Sequence, residues 1–191
     1  GPDERRRYLN LALSQAVPGY ALALSEYNQI VTQRNALLKQ LAERSSSDGD
    51  QLAYWDDLLS QRGAVLIHAR IAAVEELERL TSRIHHRLTH SGEILRMVYQ
   101  PSYDPLGIPE GQYSLPLQTT QTYRNNFTRE QIQKGFLARL AALRQEEIAR
   151  GVTTVGPHRD EMRFLANGVD LGDFGSRGQV RTALLALKLA E

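Results

Sequence analysis

The sequence predicts an α+β chain that is predominantly α, with a long antiparallel helical hairpin and a small sheet nearer the C-terminal end. Three observations carry this. Apolar residues recur at three- and four-residue steps over two long stretches, about 18–44 and 51–90, which is coiled-coil-like helical spacing. A polar run, Ser45-Ser46-Ser47-Asp48-Gly49-Asp50, separates the two stretches as a turn. Further on, an Asn167-Gly168 pair between two strand-like runs signals a hairpin turn.

Asp3 to Gln15 reads as a short helix that opens on acids and continues through Arg5, Arg6 and Arg7. Val17-Pro18-Gly19 breaks it, and Pro18 suits the first turn of the next helix. That helix runs to about Arg44 with a seam of Tyr20, Leu24, Tyr27, Val31, Leu38 and Leu41, interrupted by Arg34. The second long helix has the seam Leu52, Trp55, Leu59, Arg62, Leu66, Ala69, Ala73, Leu77, Leu80, Ile84 and Leu88. At 1.5 Å per residue it spans roughly 60 Å. The hairpin is either a projecting arm, which the helix lengths favour, or the core of an ordinary bundle.

Residues 93–100 alternate as a strand. Residues 101–127 hold Pro101, Pro105, Pro109 and Pro116 and read as a long connection without regular structure. Thr128 opens a helix, with Gln131 as its capping-box partner and Gly151 as its stop. Val152 to Val155, Glu161 to Ala166 and Asp170 to Phe174 read as strands. Gly175 to Gly178 leads into a Leu- and Ala-rich final helix whose apolar surface runs nearly all round. That helix has no stop signal, so the chain is expected to end within a domain; Gly1-Pro2 is either native or left by cloning.

The chain has 191 residues, 23 basic and 22 acidic side chains, a formal charge of +1 and no cysteine. This excludes disulfides, a Cys-ligated zinc site, a thiol nucleophile and a chain-wide basic footprint for nucleic acid. No apolar run is long enough for a membrane span. No signal-peptide pattern opens the chain, and the composition fits a reducing, cytoplasmic setting.

The leading candidate site is Ser176-Arg177-Gly178-Gln179, a small loop that opens directly onto a helix. Free amides and the partial positive charge of a helix N-terminus suit an anion. Ser176 offers a hydroxyl, Gly178 allows close backbone approach and Arg177 adds a cation; local chemistry equally allows Ser176 to be a simple cap. Arg5, Arg6 and Arg7, and Arg79, Arg83 and Arg87 with His85, His86 and His90, are candidate phosphate or DNA contacts or else solvated helix faces. His86 and His90 share a face but no third ligand is evident, so no metal site is expected. Gly151 to Gly156 has P-loop glycine spacing, but Pro157 and His158 replace the Lys and Ser/Thr. His158-Arg159-Asp160 lacks the Asn of a kinase catalytic loop, since Leu165 stands there. Both readings are rejected.

Four segments resemble the bacterial RecF family. Gly1-Pro2-Asp3-Glu4-Arg5-Arg6-Arg7-Tyr8-Leu9-Asn10 is similar to its G-S-P-x-E-R-R-R-F-L-D segment, and Gln33 to Lys39 to its K-Q-R-N-A-L-L-K. Val155 to Glu161 resembles its G-P-H-R-D-D motif, and Phe174 to Thr182 with Ala186 to Glu191 its signature segment. The resemblance implies an ABC-type ATPase related to the SMC proteins. Residues 1–150 would be the helical lobe and arm, and 151–191 a partial re-entry into the ATPase domain. It implies that Ser176, Arg177, Gly178 and Gln179 form a signature motif touching the ATP held by a second protomer. Gly175 stands for the usual Leu and Arg177 for the usual Gly.

It further implies ATP and magnesium in the full-length protein, with neither expected on this chain alone. Implied partners are DNA at gaps or single-strand/double-strand junctions, a second RecF protomer, RecR and RecO. The implied setting is recombinational repair, replication restart and the SOS response. No catalytic residue is expected here. The Walker A and Walker B segments are absent, so the chain alone is expected not to hydrolyse ATP. A coiled-coil dimerisation or adaptor module, and a helical nucleic-acid binder, are the alternatives the helices alone would allow.

Overall fold

A computed structural model describes residues 1–44, 48–90, 92–107, 124 and 126–190. Five α-helices appear among them: α1 (Pro2–Ala16), α2 (Tyr20–Glu43), α3 (Ala53–Leu88), α4 (Arg129–Arg150) and α5 (Arg177–Ala190). Three strands, β1 (Leu95–Gln100), β2 (Glu161–Ala166) and β3 (Val169–Asp170), form one antiparallel sheet in that order. The Ser45–Ser47 part of the expected turn, and 108–123 and 125 of the expected connection, lie outside the described residues, as do Ser91 and Glu191.

The expected hairpin is present, with α2 and α3 antiparallel neighbours and a short 3-10 turn, Gly49–Leu52, before α3. At 36 residues, α3 extends roughly 54 Å. It serves as the spine, since α2, α4, α5 and β1 all pack on it. The Thr128 capping box forms: the Thr128 hydroxyl accepts from the Gln131 amide, and the Gln131 side chain accepts from the Thr128 amide. Gly151 closes α4 in the left-handed conformation at φ 65°. Tyr20 and Tyr27 of α2, Leu59 and Ile67 of α3, and Phe136 and Leu140 of α4 share the main core with Met97 of β1 and Met162 of β2.

The buried face of α3 keeps Leu59 and Leu66 of the expected heptad seam and otherwise departs from it. It runs through Leu59, Gly63, Ile67, Arg70, Val74, Glu78, Thr81 and His85, while Leu88 is exposed. A heptad count that demands apolar residues cannot follow a stripe built partly from paired polar groups. Arg34, the expected interruption of the α2 seam, is fully buried. It donates to Asp56 Oδ1 at 2.8 Å and Thr153 Oγ1 at 2.9 Å, and pairs with Glu147 Oε2 at 2.7 Å. Arg144 completes the cluster on Asp56 Oδ2 at 2.7 Å. Two cations thus balance two carboxylates where α2, α3 and α4 meet.

Two expected strands are corrected. Val152 to Val155 is not a strand, because its amides bond to side chains instead of a neighbouring strand. Thr153 N donates to Asn35 Oδ1 at 2.8 Å and Thr154 N to Glu147 Oε1 at 2.6 Å. The returning strand covers only Val169–Asp170, not Asp170 to Phe174. Beyond it Phe174 N bonds to Asp170 O and Gly175 N to Leu171 O, so the chain curls into a helix-like turn. The Asn167-Gly168 hairpin forms as expected, with φ of 49° and 84°, the positive values a two-residue hairpin turn requires.

Candidate phosphate loop and its supports

The turn after β3 delivers Ser176 to the start of α5. Gly172 N donates to Asp170 Oδ1 at 2.7 Å, and Gly175 then passes against Leu171. A Cβ at Gly175 would lie 2.5 Å from the Leu171 carbonyl oxygen, so this turn has no room for the leucine usual in the motif that it resembles. Ser176 is the N-cap. Its Oγ accepts from Gln179 N at 3.2 Å, while Gln179 Oε1 accepts from Ser176 N at 3.0 Å.

The cap role is therefore present, and it leaves the rest of the turn open. Ser176, Arg177 and Gly178 are exposed, as is Phe174 beside them. The nearest atom to a Cβ on Gly178 would be Ser176 Oγ at 3.9 Å, so the backbone there is approachable. The Arg177 side chain makes no hydrogen bond or ion pair among the described residues. First-turn amides, a hydroxyl and an unengaged guanidinium on one exposed edge suit phosphate oxygens.

The other basic candidates have separate placements. Arg5 donates to Glu161 Oε1 at 2.9 Å. It also approaches the turn before Ser176: a Cβ on Gly172 would meet Arg5 Nη1 at 3.3 Å. Arg6 donates to the Asp160 carbonyl at 2.6 Å and pairs with Asp3. Arg7 is exposed and lines an open cleft of about 520 Å³ together with Asn10, Ser14, Asn28 and His158. On α3, Arg79 pairs with Glu76, and Arg83 and Arg87 are exposed. His86 and His90 are exposed, and no group of three metal-ligating side chains forms among the described residues.

The 156–160 segment is a brace built around the buried Asp160. Asp160 accepts from Arg70 Nη1 at 2.7 Å, Tyr99 Oη at 2.5 Å and Ser102 N at 2.9 Å. Arg70 also donates to the Pro157 carbonyl, Tyr20 Oη and Asn10 Oδ1. Burial pulls the Arg70 pKa down, but Tyr99 and Asp160 outweigh it and raise the pKa overall, so the guanidinium stays charged. Three donors on the buried Asp160 carboxylate give it a structural role, tying α3, β1 and the 156–160 segment together. A Cβ on Gly156, at φ 124°, would lie 2.3 Å from Tyr27 Oη; that glycine makes room for helix α2, not for a phosphate. Local sequence gave no sign of the Arg70–Asp160 pair, because its partners are far apart in the chain.

His158 sits in the same brace, with Nδ1 2.8 Å from Tyr27 Oη and Nε2 3.2 Å from the Thr153 carbonyl. A neutral ring with its proton on Nε2 satisfies both contacts. Burial lowers its pKa from the ordinary 6.5 to about 4. The unfolded chain then binds the extra proton first as pH falls. Stability contributed by this site is fully present above about pH 6.5 and is lost as pH drops toward 4. Denaturant unfolding at pH 7 and pH 5 should show wild type losing stability, and His158→Gln should lose measurably less over the same interval.

The chain is 38% identical over its full length to the DNA replication and repair protein RecF of Herpetosiphon aurantiacus, covering 43% of that protein. It is also 38% identical to RecF of Halothermothrix orenii, covering 46% of it. Solved structures of the recombination mediator protein RecF in the RecFOR pathway superpose over the whole chain. The RecF-ATPrS structure gives a TM-score of 0.80 and the RecF-ATP structure 0.77, each at 30% identity. No family model matches the chain. The chain spans a little under half the length of the relatives it matches.

Proposed function

We propose that this chain, RecF-like along all of its 191 residues, is part of an ATPase that dimerises on DNA when it binds ATP. Its role in that protein is to present Ser176, Arg177, Gly178 and Gln179 to ATP held by the other protomer. One observation carries the reading: a capped but exposed helix N-terminus, with Gly178 approachable and Arg177 unengaged. It is supported by the likeness to RecF structures that are ATP complexes.

In this reading the Ser176 hydroxyl and the Gly178 amide donate to γ-phosphate oxygens. Arg177 neutralises charge, and Gln179 holds the loop in shape. The chain has no G-x-x-x-x-G-K-[ST] segment of its own. The triphosphate and its magnesium would be gripped by residues outside these 191, so the chain by itself should not turn over ATP. Residues 1–150 would act as helical lobe and arm, and 151–191 as the returning edge of the ATPase domain. DNA gaps and junctions, RecR and RecO would be the partners of the complete protein. Arg7, Arg83 and Arg87 are the exposed cations best able to meet a DNA backbone.

The test is direct labelling. The complete protein should be loaded with an ATP analogue carrying a photoreactive group on the γ-phosphate, irradiated and digested with trypsin. Label on peptides covering 164–181, appearing only when the protein is dimeric, is the expected result. Label that never reaches those peptides would sink the reading.

A further inference from the structure

We infer that Glu93, in the link between α3 and β1, is a positioning residue for the Ser176 loop; the inference rests on the function proposed for that loop. Gln179 uses both ends of its amide. Its Oε1 accepts from Ser176 N at 3.0 Å and its Nε2 donates to Glu93 Oε1 at 2.8 Å. The second bond is the one side-chain hydrogen bond, among the described residues, that ties residues 176–179 to another part of the chain. Fixing one end of the amide fixes the other, so Glu93 sets the orientation of the Ser176 cap.

Glu93 is itself held. Its amide donates to Thr89 Oγ1 at 3.3 Å, and Thr89 Oγ1 donates to the His85 carbonyl at 3.0 Å, at the end of α3. The second carboxylate oxygen stands 3.7 Å from His85 Nε2, on a fully buried ring with no hydrogen bond to either nitrogen among the described residues. The end of the long helix, Glu93, Gln179 and Ser176 therefore form one connected run. A loop ordered in this way before it meets phosphate loses less freedom on contact than one that must first find its shape.

The experiment uses the complete protein and two readouts: ATP affinity of the monomer, and ATP-dependent dimer association by analytical ultracentrifugation. Glu93→Ala should weaken association about tenfold, the worth of one well-placed hydrogen bond, and leave monomer ATP affinity unchanged. Glu93→Gln, whose amide oxygen can accept the same bond, should stay within about twofold of wild type. Gln179→Glu should set two carboxylates against each other and weaken association, and adding Glu93→Gln should restore it. This pair decides the matter if Glu93→Ala does not fold. Wild-type association by Glu93→Ala, equal losses in Glu93→Ala and Glu93→Gln, or no rescue in the double variant would overturn the inference. Failure of the loop's own function is read separately: Ser176→Arg would then associate normally.

Discussion

Arg70→Ala should cost about 3–5 kcal/mol of folding stability, the range for removing one partner of a buried ion pair. Arg70 is 1% exposed and Asp160 2% exposed, so water cannot replace the lost guanidinium. The variant would leave the Asp160 carboxylate with only the Tyr99 hydroxyl and the Ser102 amide, and would strip donors from Pro157 O and Asn10 Oδ1. The loss would reach several elements at once, because Arg70 joins α3 to α1, α2 and the 157–160 segment. Against a typical total of about 5–15 kcal/mol, this is a large share. Denaturant unfolding would read it. Arg83→Ala, on the exposed face of the same helix, should stay within about 0.5 kcal/mol. A loss at Arg70 no larger than at Arg83 would contradict the network.

The same pair shows where sequence reading succeeds and fails. Helix lengths, the Thr128 capping box, the Gly151 stop and the Asn167-Gly168 hairpin are local signals, and each lies where the chain spells it. The buried stripe of α3 is not local. Arg70, Glu78, Thr81 and His85 are buried in it, and Arg34 is buried in α2. A polarity scale places such residues outside, whereas the fold supplies Arg70 and Arg34 with partners far along the chain, up to 119 residues away for Arg34 and Thr153. The strand expected at 152–155 fails for the related reason that its amides are taken by Asn35 and Glu147. The candidate loop was legible as a motif. Its capping geometry was half legible, since Ser176 and Gln179 have capping-box spacing. Its tether to Glu93 was not, because 86 positions separate the two residues.

Ser176→Arg carries the other large expected effect. Ser176 is exposed, and among the described residues its side chain makes one hydrogen bond, from the Gln179 amide. Losing an exposed N-cap costs only about 0.5–2 kcal/mol of stability, so the variant should fold. At the face proposed to meet phosphate the consequence is different in kind. The substitution removes the hydroxyl donor and places a long side chain over the approach to Gly178, where the space is now open. The loop could then no longer close on the nucleotide of a second protomer. On the proposed function, ATP bound within one protomer should be unaffected, since other residues would grip it.

Sedimentation of the complete protein with and without ATP, wild type beside Ser176→Arg, measures this most directly. Wild type is expected to form an ATP-dependent dimer, and the variant to stay a monomer at every ATP concentration with nucleotide affinity retained. A variant that dimerises with ATP as wild type does would contradict that expectation.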